Sequence, residues 1–261
     1  MLALVCGRGG LPERVAAALP EMPLICVLEG FAPERLAADL VFRLEHLGSF
    51  LETLKARGVR QVCFCGAIER PAVDPAMIDA ATLPLVPQMM AAMAGGDDAA
   101  LRAVMGIFED KGFEIVAAHG LAPDLLVEEG VLSTAQPDAQ MRADLVRGRT
   151  LLAALAPLDV GQGCVVGCGL IWGIESIGGT DHMLATLPAG VAQARALLIK
   201  SAKAGQDRRV DLPTIGPDTL RAVAEAGLAG LVIEAGSVIV LDRQAVVAAA
   251  DAAGLVLWAE G

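Results

Sequence analysis

The chain has 261 residues, 55% hydrophobic and 20% charged, and a formal net charge of −11. That length suits one large or two ordinary domains. So acidic a balance argues against a nucleic-acid surface, which needs clustered Lys and Arg, and disfavours electrostatic docking onto anionic lipid.

A phosphorylated ligand must therefore be held by a local cationic site, backbone N–H groups or a metal. Acids, arginines or prolines break every apolar run before the roughly 18 residues of a membrane span. MLALVCGRGG has no basic n-region and reads as a first strand, not a signal peptide. A cytoplasmic location is expected, with at most peripheral contact at the inner membrane. The six cysteines fit a reduced compartment, since Cys6, Cys26, Cys63 and Cys65 lie in strand-like runs and no C-x2-C pair occurs.

Strands and helices alternate along the first half. LALVC ends in glycines, and PERVAAAL is helical with Pro12 in its first turn. LICVL (24–28), the helical FLETLKARG (50–58) and QVCFCGAI (61–68) follow. GDDAALRAVMGIFEDKG (96–112) predicts a helix with Asp97 or Asp98 as N-cap and Gly112 at its end. FEIVAAH (113–119) reads as a strand. This alternation implies a parallel sheet covered on both faces.

The polar stretch STAQPDAQM (133–141) is the expected boundary. Beyond it come a helix, ADLVRGRTLLAAL, and a hairpin, CVVGCGLIWGIESI (164–177). GGTDHML leads into another helix. AEAGLAGLVIEAG (224–236) and ADAAGLVLWAEG (250–261) echo each other as helix, Gly, strand. The expected fold class is α/β: a Rossmann-like domain over 1–132 with a parallel sheet, then a second α/β domain with a mixed sheet over 142–261.

Several loops could carry chemistry. Gly7-Arg8-Gly9-Gly10-Leu11-Pro12, between strand and helix, suits either anion contact through backbone N–H groups or a tight turn. Glu29, at the end of the next strand, stands where a dinucleotide fold places its ribose-binding acid, or is a solvated loop acid. Gly66 to Pro71, with Arg70, belongs at the carboxyl edge of the sheet. Gly95-Gly96-Asp97-Asp98 reads as a cap or an anion loop. Gly178-Gly179-Thr180-Asp181 reads as an anion nest beside a carboxylate or as simple N-capping. The three histidines are scattered, and no Walker lysine loop or G-x-S-x-G elbow occurs.

The densest signal is GQDRRVDLPTIGPDT (205–219). Asp207, Arg208, Arg209, Asp211 and Asp218 crowd into it, and two of the four lysines, Lys200 and Lys203, stand just upstream. Metal-assisted phosphoryl chemistry uses this mixture, with carboxylates for Mg²⁺ and cations against developing charge. A structural ion-pair network is the competing reading. Three broad functions are in play: a metal-dependent phosphoryl hydrolase, a dinucleotide-dependent oxidoreductase resting on the first glycine loop and Glu29, and a nucleotide or lipid carrier without chemistry. The absence of Tyr removes a Ser-Tyr-Lys hydride-transfer site from the second.

Gly9-Gly10-Leu11-Pro12, Gly66 to Arg70-Pro71, Gly96-Asp97-Asp98, Gly161-Gln162-Gly163, Gly179-Thr180-Asp181 and Gln206-Asp207-x-Arg209-x-Asp211-Leu-Pro-Thr-Ile-Gly216 occur in this order. Together they resemble the UDP-2,3-diacylglucosamine pyrophosphatase family of the LpxI type, across nearly the whole chain. The resemblance implies a Mg²⁺-dependent hydrolase of lipid A biosynthesis that splits UDP-2,3-diacylglucosamine into UMP and 2,3-diacylglucosamine 1-phosphate (lipid X). A homodimer is compatible with it.

Under that resemblance Asp211, Lys203 and Arg209 are the expected catalytic residues. Gly9, Gly10, Leu11, Gly66, Arg70, Asp97, Asp98, Gly179, Thr180, Lys200, Gln206 and Thr214 are expected to bind substrate. Asp211, Asp181 and Glu175 are the expected metal ligands. Two departures stand out: family members often carry Glu where this chain has Gly178, and the interval from Asp181 to Lys200 is short.

Overall fold

The computed structural model describes residues 1–69, 72–93, 97–203 and 205–261, the side chains of residues 92, 93, 97 and 98 excepted. The chain divides into two compact units. Unit 1 is Met1–Pro123 with Asp207–Asp211, and unit 2 is Asp124–Gln206 with Leu212–Gly261.

Unit 1 contains β1 (Leu2–Cys6), α1 (Leu11–Ala18), β2 (Leu24–Leu28), β3 (Leu40–Phe42), α2 (Leu47–Ala56), β4 (Gln61–Cys65), α3 (Val86–Met93), α4 (Asp97–Asp110), β5 (Glu114–Ile115) and α5 (Ala118–Leu121). Its sheet has the order β3-β2-β1-β4-β5, with every pair parallel. This is a Rossmann-like arrangement whose order reverses between β1 and β4, the point at which such sheets bind ligands. Ala3 to Cys6 and Ile25 to Leu28 are buried throughout, as expected for parallel strands covered on both faces.

Phenylalanines fill much of the core of unit 1. Phe42 stacks on Phe50 with centroids 3.9 Å apart, while Phe108 meets Phe50 and Phe64 edge-on. The segment 113–119 is not one strand. Only Glu114–Ile115 pairs with β4, and the chain then coils into α5.

Unit 2 contains β6 (Gly130–Val131), α6 (Ala139–Leu155), β7 (Gly163–Gly167), β8 (Leu170–Ile174), α7 (Gly179–Ala185), β9 (Leu197–Lys200), β10 (Thr214–Ile215), α8 (Pro217–Glu225), β11 (Gly230–Glu234), β12 (Ile239–Val240), α9 (Arg243–Ala252) and β13 (Val256–Glu260). The six-stranded sheet runs β6-β13-β11-β9-β7-β8. β9, β11 and β13 are parallel; β6 pairs antiparallel with β13, β7 antiparallel with β9, and β8 antiparallel with β7. The sheet is therefore mixed. The helix–Gly–strand echo forms α8–β11 and α9–β13, whose strands lie side by side.

The sheet of unit 2 separates two apolar layers. One holds Val165, Leu198, Leu231 and Leu257, with Leu184 of α7, Val223 of α8 and Val246 of α9. The other holds Cys164, Val166, Leu197, Ile199 and Trp258 with Met141, Leu145 and Leu152 of α6. The division between units falls after Pro123, upstream of the polar stretch 133–141. Residues 130–131 join unit 2 because β6 pairs with Ala259 and Trp258 of β13.

Candidate active site

The register of unit 2 assembles a polar cluster. β7 pairs with β9 so that Gly163 lies opposite Lys200, and with β8 so that Cys164 lies opposite Ile174. Glu175 follows Ile174, and its backbone N–H donates to the Gly163 carbonyl at 2.9 Å. Glu175, Gly163 and Lys200 thus form a row across three adjacent chain segments, with no side chain at its middle. A Cβ on Gly163 would sit 2.5 Å from Glu175 Oε2. The glycine leaves space for the carboxylate to approach the lysine.

The gap is bridged by Thr180. Lys200 Nζ donates to Thr180 Oγ1 at 2.7 Å, and the threonine hydroxyl donates to Glu175 Oε2 at 3.1 Å. The ammonium lies 3.8 Å from the same carboxylate oxygen, and the Lys200 side chain is only 8% exposed. Burial pushes the Lys200 ammonium below the usual lysine range, opposed by the nearby charges of Glu175 and Asp181. Desolvation outweighs those charges, so the site favours an added negative charge.

The capping reading of this turn fails. Gly178 is the N-cap of α7 and no side chain caps the helix. Thr180 faces Lys200 and Glu175 because Gly179 takes a left-handed turn at φ +73. At Gly178, the His182 ring occupies the space a side chain would need, with Cδ2 2.6 Å from an added Cβ.

The loop after β9 carries the remaining residues of this unit. Lys203 Nζ donates to Asp159 Oδ1. Gln206 is buried, and its Oε1 accepts from the Lys203 backbone N–H at 3.1 Å and from Gln162 Nε2 at 2.9 Å. Glu234, at the end of β11, accepts from Ala202 N–H at 3.0 Å. Thr214 is in β10, its hydroxyl donating to the Leu212 carbonyl at 3.3 Å. Sequence reasoning gave no role to Asp159, Gln162 or Glu234. The glycines flanking Gln162 were the available signal.

In unit 1 the loops after β1 and β4 close against each other at the switch point. Arg8 and Ala67 exchange two backbone hydrogen bonds of 2.9 Å. A Cβ on Gly7 would stand 2.4 Å from Ala67 O, and one on Gly66 would stand 2.7 Å from Gly7 O. These glycines are therefore needed for close backbone contact. Gly9 is left-handed at φ +91, Gly10 caps α1 and Leu11 begins it. Glu29 is paired with Arg43 at 2.8 Å. Arg70 and Gly96 lie outside the described residues, as do the side chains of Asp97 and Asp98.

The 207–211 segment behaves differently from the lysine loop. Arg209 binds both oxygens of Asp207, through contacts of 2.7 to 3.2 Å, and Glu109 of α4 at 2.6 Å. Hydrogen bonding to Arg209 holds Asp207 below the usual carboxylate range, and the two acids hold the guanidinium firmly charged. Val210 enters the core of unit 1, and Asp211 adopts a left-handed backbone at φ +57. Among the described residues there is no group of three or more His, Cys, Asp or Glu poised for a metal.

Residues 1–125 match the family model described as the LpxI N-terminal domain, and residues 128–258 match the LpxI C-terminal domain. The chain belongs to the LpxI family. It is 39% identical over 268 residues to "UDP-2,3-diacylglucosamine pyrophosphatase LpxI" of Caulobacter vibrioides, an alignment covering 97% of this chain and 95% of that protein. The two LpxI domain matches meet between residues 125 and 128, close to the division after Pro123.

Proposed function

We propose that this protein hydrolyses the pyrophosphate bond of UDP-2,3-diacylglucosamine, releasing UMP and 2,3-diacylglucosamine 1-phosphate in lipid A biosynthesis. The observation that carries the reading is the 39% identity over 97% of the chain to a pyrophosphatase named for that substrate. The Lys200–Thr180–Glu175 cluster supports it chemically. A largely buried ammonium whose charge is under-compensated is suited to a polyanion, because electrostatic attraction is stronger where water is excluded.

In this reading Lys200 and Lys203 meet pyrophosphate charge, Thr180 fixes the Lys200 head group, and Gln206 shapes the loop that carries Lys203. Asp211 is the acid that orients or deprotonates the attacking water. Arg209 has a supporting part, since its guanidinium is already bound to two carboxylates.

Mg²⁺ belongs to the proposal. It takes one or two carboxylates plus phosphate oxygens and retains waters, so a three-acid cluster is not required. Glu175 Oε2 already accepts from Thr180 and faces the Lys200 ammonium. Asp211, or in its place Asp181, is then the carboxylate proposed as a ligand. When bound, the ion would neutralise phosphate oxygens and polarise the scissile phosphorus.

No described helix is long and apolar enough to cross a membrane. We place the enzyme in the cytoplasm, meeting its diacyl substrate by peripheral contact at the inner membrane. The test is UMP release from UDP-2,3-diacylglucosamine by purified protein with Mg²⁺ or EDTA. Chelator-sensitive release by wild type and none by Asp211→Ala is expected. Release unaffected by EDTA would remove the metal, wild-type turnover in Asp211→Ala would remove the acid, and no release by wild type would overturn the function.

A further inference from the structure

One upstream segment holds the loop that carries Lys203 and Gln206. Asp159 follows the 3-10 turn Ala156–Leu158 at the end of α6, with a left-handed backbone at φ +54. Its carboxylate receives the Lys203 ammonium in an ion pair, the lysine side chain 16% exposed and the acid 32%. Slightly farther on, Gln162 Nε2 donates to Gln206 Oε1 at 2.9 Å, and the Gln162 carbonyl accepts from Ser201 N–H at 3.0 Å. The same segment continues into Gly163, whose carbonyl accepts from Glu175 N–H.

Stability is a weak reason for this acid. Partly exposed ion pairs add little to stability, and glycine suits the left-handed backbone at this position better than aspartate does. Lysine has a long stem with much rotamer freedom, and a charged head that is positioned before substrate arrives loses less on binding. A carboxylate holding a cationic side chain in place supplies that positioning.

We propose that Asp159 is a positioning residue for the hydrolysis: it fixes the Lys203 ammonium to meet the pyrophosphate and acts through Lys203 alone. This rests on the role given to Lys203 above. Glycine at 159 relaxes the backbone while deleting the carboxylate, so it separates the two effects. Asparagine tolerates the same backbone and keeps a hydrogen-bond acceptor without the charge.

Four variants test the proposal by steady-state UMP release and thermal melting: Asp159→Gly, Asp159→Asn, Lys203→Ala and the double variant Asp159→Gly/Lys203→Ala. Asp159→Gly should lower kcat/KM by up to about a hundredfold, the scale of a catalytic group displaced by about 1 Å, with Tm unchanged or raised. Asp159→Asn should recover part of that loss, and the double variant should be no slower than Lys203→Ala. Wild-type turnover in Asp159→Gly beside a slow Lys203→Ala would overturn the proposal, as would additive losses in the double variant. If Asp159→Gly fails to fold, Asp159→Asn decides: a slower enzyme of unchanged Tm supports the proposal, and wild-type turnover overturns it. Wild-type turnover in Lys203→Ala would instead overturn the role of Lys203, and the proposal with it.

Discussion

Two buried charges, Glu45 in unit 1 and Lys200 in unit 2, are treated in opposite ways. Glu45 is only 2% exposed. Its carboxylate accepts from Arg43 through bonds of 3.2 and 3.3 Å and from Asp74 N–H at 2.9 Å. Those hydrogen bonds more than offset its burial, and its pKa falls to about 2. Lys200 donates to Thr180 at 2.7 Å and has the Glu175 carboxylate 3.8 Å away; despite these and the charge of Asp181, burial prevails. The first charge is satisfied and holds a turn together. The second, among the described residues, is less fully compensated, as suits a group that meets a ligand.

That contrast predicts a separation of effects, largest at Lys200. Lys200→Met should reduce kcat/KM for UMP release by about 10²–10³, the range seen when one donor to developing charge is lost. Its Tm should fall less than that of Glu45→Ala. The pH dependence has a definite sign. Burial lowers the folded pKa of Lys200 from 10.5, so the unfolded chain binds that proton more tightly. Wild type should therefore gain stability from this group as pH rises from the folded pKa towards about 10.5, and Lys200→Met should lack that gain. Equal activity in mutant and wild type would remove Lys200 from the site.

Glu45→Ala should do the converse, costing roughly 1.5–3 kcal/mol of stability while leaving turnover near wild type at temperatures well below melting. The folded pKa of Glu45 is depressed from 4.5 to about 2. Its contribution is thus complete above about 4.5 and is lost as pH falls towards about 2. Denaturant melts at pH 7 and pH 3 check this: the gap between wild type and Glu45→Ala should narrow at the lower pH. A gap that widened on acidification would contradict the assignment.

The same two regions mark how far the sequence could be read. Alternation of apolar runs with helical patterns made the α/β architecture legible, because buried parallel strands and amphipathic helices have distinct periodicities. Strands of two or three residues, such as β5, β6, β10 and β12, are too short for a period and depend on partners distant in the chain. Thr180, Lys200 and Glu175 could be singled out as residue types, yet their contact could not. It follows from the register Gly163↔Lys200 and from the hairpin that returns Glu175 beside Gly163. Glu45 drew no notice in the sequence, since its burial depends on Arg43 and on the distant backbone of Asp74.

Arg209 offers the smallest effect and the finest discrimination. Its side chain is 39% exposed and bound to Asp207 and Glu109, so the group resembles Glu45 in being satisfied, while in sequence it shares with Lys200 the densest run of charge. Arg209→Gln should change stability by about 0–1 kcal/mol, as exposed ion pairs do. If the guanidinium is fully committed to its two acids, kcat/KM should fall far less than in Lys200→Met. A loss as large as that of Lys200→Met, with Tm unchanged, would mean that Arg209 exchanges one of its acids for substrate phosphate. The rule separating satisfied from unsatisfied charges would then hold for buried groups and fail at the surface, where water makes exchanging partners inexpensive.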